Sequence, residues 1–478
     1  MFDVAYYLGK YRDVAAAEVD PLVHYIEYGW REGRNPHPLF DTTQYLEQYG
    51  AAIGPLDPLT HYIWYGRERG FSPGAKYLPP EKPVIFMADV RLPRRDRDSG
   101  SLDQISFLKI FRALGFDIHF LGTRDQSPDV RALAKEFPPD SNGVRWLRAG
   151  DFHCVDDYLF RYESRIAAAF LSRHWVAESL LPSVRELCPQ AKIIFNTVDL
   201  HFIREKREGE ILNEPELISR SMLSRQSELD LVRRADASIV VSEYERAALS
   251  SMGEDRQLYT VPLIREFGTA PVPEFSSRNG IAFVGGFSHR PNVDAVEHFL
   301  AAVWPELHAR RPDIPFFVVG SSLPAELASR RDPGVRFVGH VEHIDHFLDG
   351  VKLTVAPLRF GAGAKGKVVL SLGRGVPCVA SEIAAEGMGL QDGREIAVAR
   401  SPADYVEKIC SLYDDKAAWT QRSSNGLRRA RSVFSLDNGI RLTRDILQDI
   451  GVRLPLPVLA NPGGMAETAQ IESPTIPA

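Results

Sequence analysis

The chain has 478 residues, 44% of them hydrophobic and 25% charged, with a net charge of −6 and a pI near 6.1. That balance predicts a soluble globular protein of about three domains. It excludes a charge-driven nucleic-acid binder, which needs a basic excess. The four cysteines, Cys154, Cys188, Cys378 and Cys410, are far apart and form no Cys-x-x-Cys pair. They read as free thiols in a reducing compartment. No metal-ligand spacing, signal-peptide pattern or membrane-length apolar run is found. The expected setting is the cytoplasm, with peripheral contact at the inner face of the cell membrane left open.

Residues 1–80 carry an internal repeat. Phe2-Asp3 and Tyr7-Leu8 recur 38 positions later as Phe40-Asp41 and Tyr45-Leu46. Asp20-Pro21-Leu22, His24-Tyr25-Ile26 and Tyr28-Gly29 recur 37 positions later as Asp57-Pro58-Leu59, His61-Tyr62-Ile63 and Tyr65-Gly66. Each unit reads as two short helices, capped by Asp3 or Asp41 and by Asp20 or Asp57, with Pro just inside the second. Leu22, Tyr25, Ile26 and Gly29 fall on a helical stripe that predicts a buried face. Units this small bury little surface alone and are expected to pack together.

After a Pro-rich joint at 77–83 the pattern changes to alternating strands and helices. Val84–Ala88, Asp117–Leu121, Ile166–Phe170, Lys192–Asn196 and Ala237–Val241 read as strands. Helices are expected at 102–114, 175–187 and 216–234. This βαβ rhythm predicts a parallel sheet covered on both faces. A Pro-, Gly- and Ser-rich stretch at 265–280 reads as a linker. A second series follows, with strands at 281–286, 315–319, 335–338, 352–356, 378–380 and 396–399. Its helices are expected at 293–310, 402–413, 416–432 and 436–450. The domains are therefore a helical module at 1–80, a first α/β domain at 83–264 and a second at 281–450. The tail at 455–478, rich in Pro, Ala, Ser and Thr, is expected to be disordered.

The stretch from Phe360 to Met388 concentrates the chemistry. Gly361, Gly363 and Gly366 alternate with Lys365 and Lys367, and an apolar helical turn follows from Val368 to Leu372. A glycine-rich loop entering a helix presents free N–H groups and the positive end of a helix dipole. With two lysines it reads as a phosphate or diphosphate site, or as a tight loop with solvated lysines. A second glycine turn, Gly285-Gly286, also follows a strand of the second domain. Ligands in open α/β sheets bind at the carboxyl ends of the strands, so two such domains create one cleft. The second domain is expected to hold a phosphate-bearing ligand and the first another substrate. No Gly-x-Gly-x-x-Gly opens either domain, so the layout is that of a two-substrate transferase rather than a dinucleotide enzyme.

Three blocks in the second domain carry a resemblance. They are Val284-Gly285-Gly286-Phe287-Ser288-His289-Arg290-Pro291-Asn292, Phe337-Val338-Gly339-His340 and the lysine loop with Gly375-Val376-Pro377 and Ala385-Glu386-Gly387. In the first domain Asp98-Ser99-Gly100-Ser101, Thr197-Val198-Asp199-Leu200-His201 and Val241-Ser242-Glu243-Tyr244-Glu245 agree. Over about residues 83–450 the chain resembles the group 1 (family 4) glycosyltransferases. The resemblance implies an α/β GT-B fold of two facing, Rossmann-like, doubly wound domains, here preceded by the small all-α repeat module. It implies a retaining glycosyltransferase of the hexosyltransferase type, with no cofactor and no metal. Its partners would be a nucleotide-diphosphate sugar and a glycan or lipid-linked glycan acceptor. The repeats resemble modules fused to some bacterial polysaccharide-assembling glycosyltransferases, and would serve peripheral membrane or assembly-enzyme contact.

A metal-free enzyme must stabilise the departing diphosphate with side-chain cations and helix-end N–H groups. The residues expected to do so are Lys365, Lys367 and Arg290 with the backbone of Gly285, Gly286 and Gly363. Glu386 is expected on donor hydroxyls, or reads as a helix-start carboxylate; Arg290 equally reads as a solvated loop arginine. Asp199 and His201, after a strand end, are the catalytic candidates, or equally a capping Asp and a packed His. Ser99 and Gly100 are expected to shape the acceptor side, and Glu243 reads as an N-terminal helix carboxylate. One departure stands out. Many members carry two glutamates eight positions apart, and those positions here are Ala362 and Leu370. Alternatives to the transferase are therefore a GT-B sugar-nucleotide epimerase and a non-catalytic scaffold whose repeats recruit a partner.

Overall fold

A computed structural model describes residues 2–17, 19–37, 40–67, 69, 71, 73, 82–95, 99–124, 137, 144–147, 152, 154–269 and 271–455. The chain divides into two compact units, Met1–Lys82 and Pro83–Ala478. The expected joint at 77–83 is mostly outside the described residues, as are Asp98 and the tail from 456 onward.

In the first unit the four aspartates cap as their positions dictate. Asp3 accepts from the Tyr6 N–H and Asp41 from the Gln44 N–H. Asp20 accepts from Leu22 and Val23, and Asp57 from Thr60, with Pro21 and Pro58 in the first turn. Each half then makes the same internal bond. The Tyr7 hydroxyl meets His24 Nδ1 at 3.1 Å, and the Tyr45 hydroxyl meets His61 Nδ1 at 2.9 Å. Glycine is required where these bonds pass: a Cβ on Gly29 would lie 2.1 Å from the Tyr7 hydroxyl, and one on Gly66 2.5 Å from that of Tyr45. Each half also closes alike, the Asp3 N–H donating to Pro36 O and the Asp41 N–H to Pro73 O. Tyr25 joins the halves through Thr42 Oγ1 at 3.2 Å, inside a cluster with Tyr7, Phe40 and Tyr45. The buried stripe needs correction. Tyr25 is buried, but Leu22 and Ile26 are 42% and 43% exposed. The helix begun at Pro21 widens to a π-helix over Tyr25–Gly29, and Pro58–His61 does so over Tyr62–Gly66. The extra residue per turn rotates the buried face away from the 3.6-residue stripe.

The second unit contains two parallel sheets. The first has seven strands in the order β3-β2-β1-β4-β5-β6-β7: β1 (Val84–Asp89), β2 (Asp117–Gly122), β3 (Val144–Leu147), β4 (Ile166–Ser172), β5 (Lys192–Asn196), β6 (Ala237–Val240) and β7 (Leu258–Thr260). The second has six in the order β10-β9-β8-β11-β12-β13: β8 (Ile281–Val284), β9 (Phe316–Val319), β10 (Val335–Gly339), β11 (Leu353–Ala356), β12 (Cys378–Ser381) and β13 (Ala397–Ala399). Strand β1 is buried on both faces. Val84, Phe86 and Ala88 join one core while Ile85 and Met87 join the other, as a pleat with period two requires. Strand order reverses between β1 and β4 and again between β8 and β11, so each sheet has a switch point where a crevice opens.

Three expectations about boundaries change. The last helix, Leu436–Asp449, falls within the span expected for the second domain, 281–450. Its Ile446 and Leu447, with Ile450 and Val452 beyond it, pack instead into the first sheet's core beside Ile85, Met87 and Ile110. An amphipathic helix goes where its apolar face finds cover, whatever its place in the chain. The expected linker is also docked. Phe267 packs against the second core, and the buried Arg278 guanidinium donates to Leu348 O and Val351 O. The helix expected at 293–310 is two helices, Arg290–Ala302 and Trp304–Arg310, with Pro305 in the first turn of the second.

Candidate active site

At the first sheet's switch point Arg173, following β4, pairs with Asp89 at the end of β1 at 2.9 Å. The next strand, β5, runs into Thr197-Val198-Asp199. Val198 has φ of +66°. A β-branched residue there costs on the order of 1–3 kcal/mol, and such strain collects at functional turns. Two buried carboxylates hold the turn. Glu245, on the Glu243–Ser250 helix, accepts from the Leu200 N–H at 2.8 Å. Glu228, on the Pro215–Arg234 helix, accepts from the His201 N–H at 2.9 Å and the Phe202 N–H at 3.1 Å. Burial pushes Glu245 up to about 7 and Glu228 well above the carboxylate range.

Asp199 pairs with Arg204 one turn into the His201–Leu212 helix. Against the upward push of burial, Arg204 and its neighbouring cations hold the Asp199 carboxyl well below the usual range. Burial drives His201 down to about 3, so the ring is neutral. Its Nδ1 faces Asp199 O at 3.1 Å and Glu228 Oε1 at 3.2 Å. The Asp199 carbonyl can only accept, so Nδ1 carries the proton and Nε2 keeps a lone pair. Among the described residues Nε2 has no hydrogen-bond partner.

In the second domain the lysine loop follows β11, beside β8 at the switch point. Lys365 is the residue before the Gly366–Gly373 helix, and its buried ammonium donates to Ala362 O at 3.0 Å and to Gly363 O. Lys367 donates to Asn292 Oδ1 at 2.8 Å, and Asn292 in turn donates to Gly286 O at 2.7 Å. The two glycine segments are thereby tied together. Gly285 has no room for a side chain, because a Cβ would lie 2.8 Å from the Asn292 amide. Burial pulls Lys365 down to about 8, against the support of Glu245. Burial and the neighbouring Lys365 pull Lys367 to about 8 as well. Two buried ammonium groups thus share one loop, each with a weakened hold on its proton.

The two domains meet at these loops. A Cβ on Gly363 would lie 3.1 Å from Asp199 Cβ, and one on Gly366 would lie 2.6 Å from Ser99 Oγ. Ser99 and Gly100 open the Ser99–Ala113 helix, and Arg265 donates to Ser99 Oγ at 2.7 Å. So Ser99, Asp199, Gly363 and Lys365 come together. Glu386 and Arg290 do not join them freely. Arg207 of the first domain grips both Glu386 carboxylate oxygens, at 2.8 and 2.9 Å, and also donates to Gly361 O at 2.8 Å. Arg290 reaches out of its own domain to Glu208 at 3.2 Å and to Glu214. Glu243 begins its helix and is exposed, and its N–H donates to Gly387 O at 3.2 Å.

The positions of the absent glutamates are apolar contacts. Leu370 packs on Leu348, Val351 and Val376, and Ala362 packs against the first domain's core. Sequence reasoning missed Arg207, Glu228, Glu245 and Asn292. Asn292 and Glu245 stand inside the quoted motif blocks without a role assigned there, and the signal for Arg207 was its place two turns beyond Asp199.

The two sheets and their facing loops define the GT-B fold of the glycosyltransferases. Residues 278–415 match the family model described as Glycosyl transferases group 1, the group that the motifs resemble. No curated protein sequence matches. Among solved structures, sucrose-phosphate synthase of Thermosynechococcus elongatus is 16% identical, with TM-score 0.59, covering 77% of this chain and 99% of that one. Anabaena HepE in complex with UDP and glucose is 13% identical, with TM-score 0.59 and coverage of 77% and 99%. An S. aureus TarM mutant in complex with fondaparinux, alpha-GlcNAc-glycerol and UDP is 10% identical, with TM-score 0.59 and coverage of 76% and 99%. At these identities the likeness is one of fold. No helix among the described residues is long and apolar enough to cross a membrane.

Proposed function

We propose that this chain is a retaining glycosyltransferase that moves a sugar from a nucleotide-diphosphate sugar to a glycan or lipid-linked glycan acceptor. The observation that carries the reading is the lysine loop at the carboxyl end of the second sheet, closed to within van der Waals reach of Asp199 on the first. A diphosphate leaving group gathers negative charge as the glycosidic bond breaks. Lys365, Lys367 and the N-terminal end of the Gly366–Gly373 helix supply the compensating charge, with Gly285, Gly286 and Gly363 allowing close backbone approach. Because these groups are already cationic, the reading calls on no metal or cofactor. Asp199 faces the reacting sugar, and His201 Nε2 is the acceptor for a substrate hydroxyl proton. Glu386, oriented by Arg207, binds donor hydroxyls in place of the glutamates absent at 362 and 370. Arg290, bonded to Glu208 and Glu214, acts in holding the domains together and reaches the diphosphate only after letting go of them.

The UDP held by HepE and TarM makes UDP-sugars the first donors to test. The family match supports the reaction class. The test is a thermal-shift screen of UDP-, GDP-, ADP- and dTDP-sugars, followed by product analysis with and without glycan acceptor. Stabilisation by one sugar nucleotide, with transfer lost in Lys365→Ala, is the expected result. Quantitative epimer formation without acceptor, or binding with no turnover, overturns the reading. We assign the repeats at 1–80 to acceptor or assembly-enzyme recruitment at the cytoplasmic membrane face, as in bacterial polysaccharide assembly. Removing residues 1–78 should spare donor hydrolysis and impair transfer to a long acceptor.

A further inference from the structure

A cavity of about 790 Å³ opens in the first domain beside the candidate site, walled by the helices His174–Leu187, His201–Leu212 and Pro215–Arg234. His201, whose buried Nε2 has no partner, lines it. Trp175 lines it too, 37% exposed, with its ring centroid 4.8 Å from that of His201 at 80°. The charged lining groups balance: Arg124, Arg204 and Arg220 against Glu178, Glu205 and Asp230. Most are already engaged. Arg220 pairs with Glu205 at 3.0 Å, Arg204 with Asp199, and Asp230 with Arg234 at 2.9 Å. Among the described residues, Arg124 and Glu178 are left as one donor and one acceptor of opposite sign, Glu178 accepting only the Ser227 hydroxyl at 3.1 Å.

We infer that this cavity receives an uncharged pyranose, the terminal residue of the acceptor glycan, packed on Trp175 with hydroxyls read by Arg124 and Glu178. The inference rests on the transferase reading and goes on to name the acceptor's class. An aromatic face flanked by mixed donors and acceptors matches a sugar ring, apolar on its C–H face and polar at its edge. A balanced lining gives no Coulombic preference for a uronate or a sugar phosphate. His201 lines the cavity two residues beyond Asp199, so the cavity lies beside the candidate site.

The test uses full-length protein labelled with 5-fluorotryptophan, whose six tryptophans give six fluorine signals. The Trp175 signal is assigned by its loss in Trp175→Phe. Methyl glycosides of glucose, galactose, mannose, rhamnose and N-acetylglucosamine are titrated, with methyl glucuronide and glucose 1-phosphate as charged comparators. At least one neutral glycoside should move the Trp175 signal saturably. Glu178→Gln and Arg124→Gln should each weaken that binding about tenfold, the scale of a hydrogen bond to a charged group, with the thermal transition unchanged. Tighter binding of a charged comparator, no response to any neutral glycoside, or unchanged affinity in both variants overturns the inference. Turnover on sugar nucleotides without a Trp175 response sinks this inference alone. A Trp175 response without turnover sinks the transferase reading and the acceptor role with it, leaving a cavity that binds a neutral pyranose.

Discussion

Arg207 and Glu386 lie on different domains, yet the guanidinium of one grips both oxygens of the other at 2.8 and 2.9 Å. The same arginine holds Gly361 O and lies 4.8 Å from the Tyr244 ring centroid. A half-buried bidentate pair of this kind fixes orientation as well as charge. Truncating one partner of such a pair costs about 2–5 kcal/mol of the interaction it supports. Arg207→Ala is therefore expected to raise the donor KM by at least about tenfold. Arg207→Lys should recover little of it, since an ammonium cannot reproduce the fork. Steady-state kinetics with the identified donor checks this, and wild-type KM in both variants would refute it.

The lysine loop predicts a pH dependence with a definite sign. Burial holds Lys365 and Lys367 at about 8, below the ordinary lysine value near 10.4. Between those values the unfolded chain holds protons that the folded one has released, so these two groups favour folding increasingly as pH rises through that window. Diphosphate binding runs the other way, because it needs the ammonium form. Nucleoside diphosphate affinity should be flat up to about pH 7.5 and fall by up to about tenfold per unit, per lysine, above pH 8. Isothermal titration across that range is the measurement. Lys365→Ala should bind more weakly at pH 7 and show a shallower fall.

Glu245 predicts a stability effect that looks like an active-site effect. Its carboxyl receives the Leu200 N–H at 2.8 Å, the Val241 N–H at 3.3 Å and the Ser242 hydroxyl at 3.2 Å. Glu245→Ala strands buried donors, at about 1–3 kcal/mol each. It also frees the turn that carries Asp199. Urea denaturation should show a lower midpoint, and kcat should fall together with it. Glu245→Gln keeps an acceptor for Leu200 and should fall between the two.

In the repeat module, Gly29→Ala would place a methyl group 2.1 Å from the Tyr7 hydroxyl, with the next contacts at 3.3 Å to His24 Nδ1 and 3.4 Å to the Tyr7 ring. The single substitution should destabilise this unit by about 1–3 kcal/mol through overpacking. Tyr7→Phe alone should cost about 1 kcal/mol through the lost His24 bond. Combined, they should cost less than the sum, because the phenyl ring vacates the clash. Hydrogen exchange over residues 2–37 of the full chain provides the readout, and simple additivity would refute the clash.

Much of this architecture was legible in the sequence. Val84–Ala88 and Ile281–Val284 are short unbroken apolar runs, the pattern of a strand buried on both faces. The glycine-lysine loop was legible because glycine marks where backbone must come close. Arg207 was invisible for the opposite reason. It sits in Arg-Glu-Lys-Arg-Glu, which on a helix looks like a solvated face until another domain covers it. Glu228 was hidden likewise, since a carboxylate that tethers another element's N–H groups leaves no local pattern, and Glu245, although inside a motif block, showed no sign of that tethering role. The π-helical turns at Tyr25 and Tyr62 escaped because stripe reading assumes 3.6 residues per turn.

The terminal helix carries a consequence for biosynthesis. Leu447 is fully buried among Ile85, Met87 and Ile110, residues made more than three hundred positions earlier. On the ribosome the first sheet emerges well before the helix that seals its underside. Its greasy floor must wait, open to chaperones and to misplaced neighbours, while the whole second domain is translated. Of the two α/β domains, the one that begins first is thus completed last, and a message truncated after residue 434 would yield a finished donor half beside an unsealed partner.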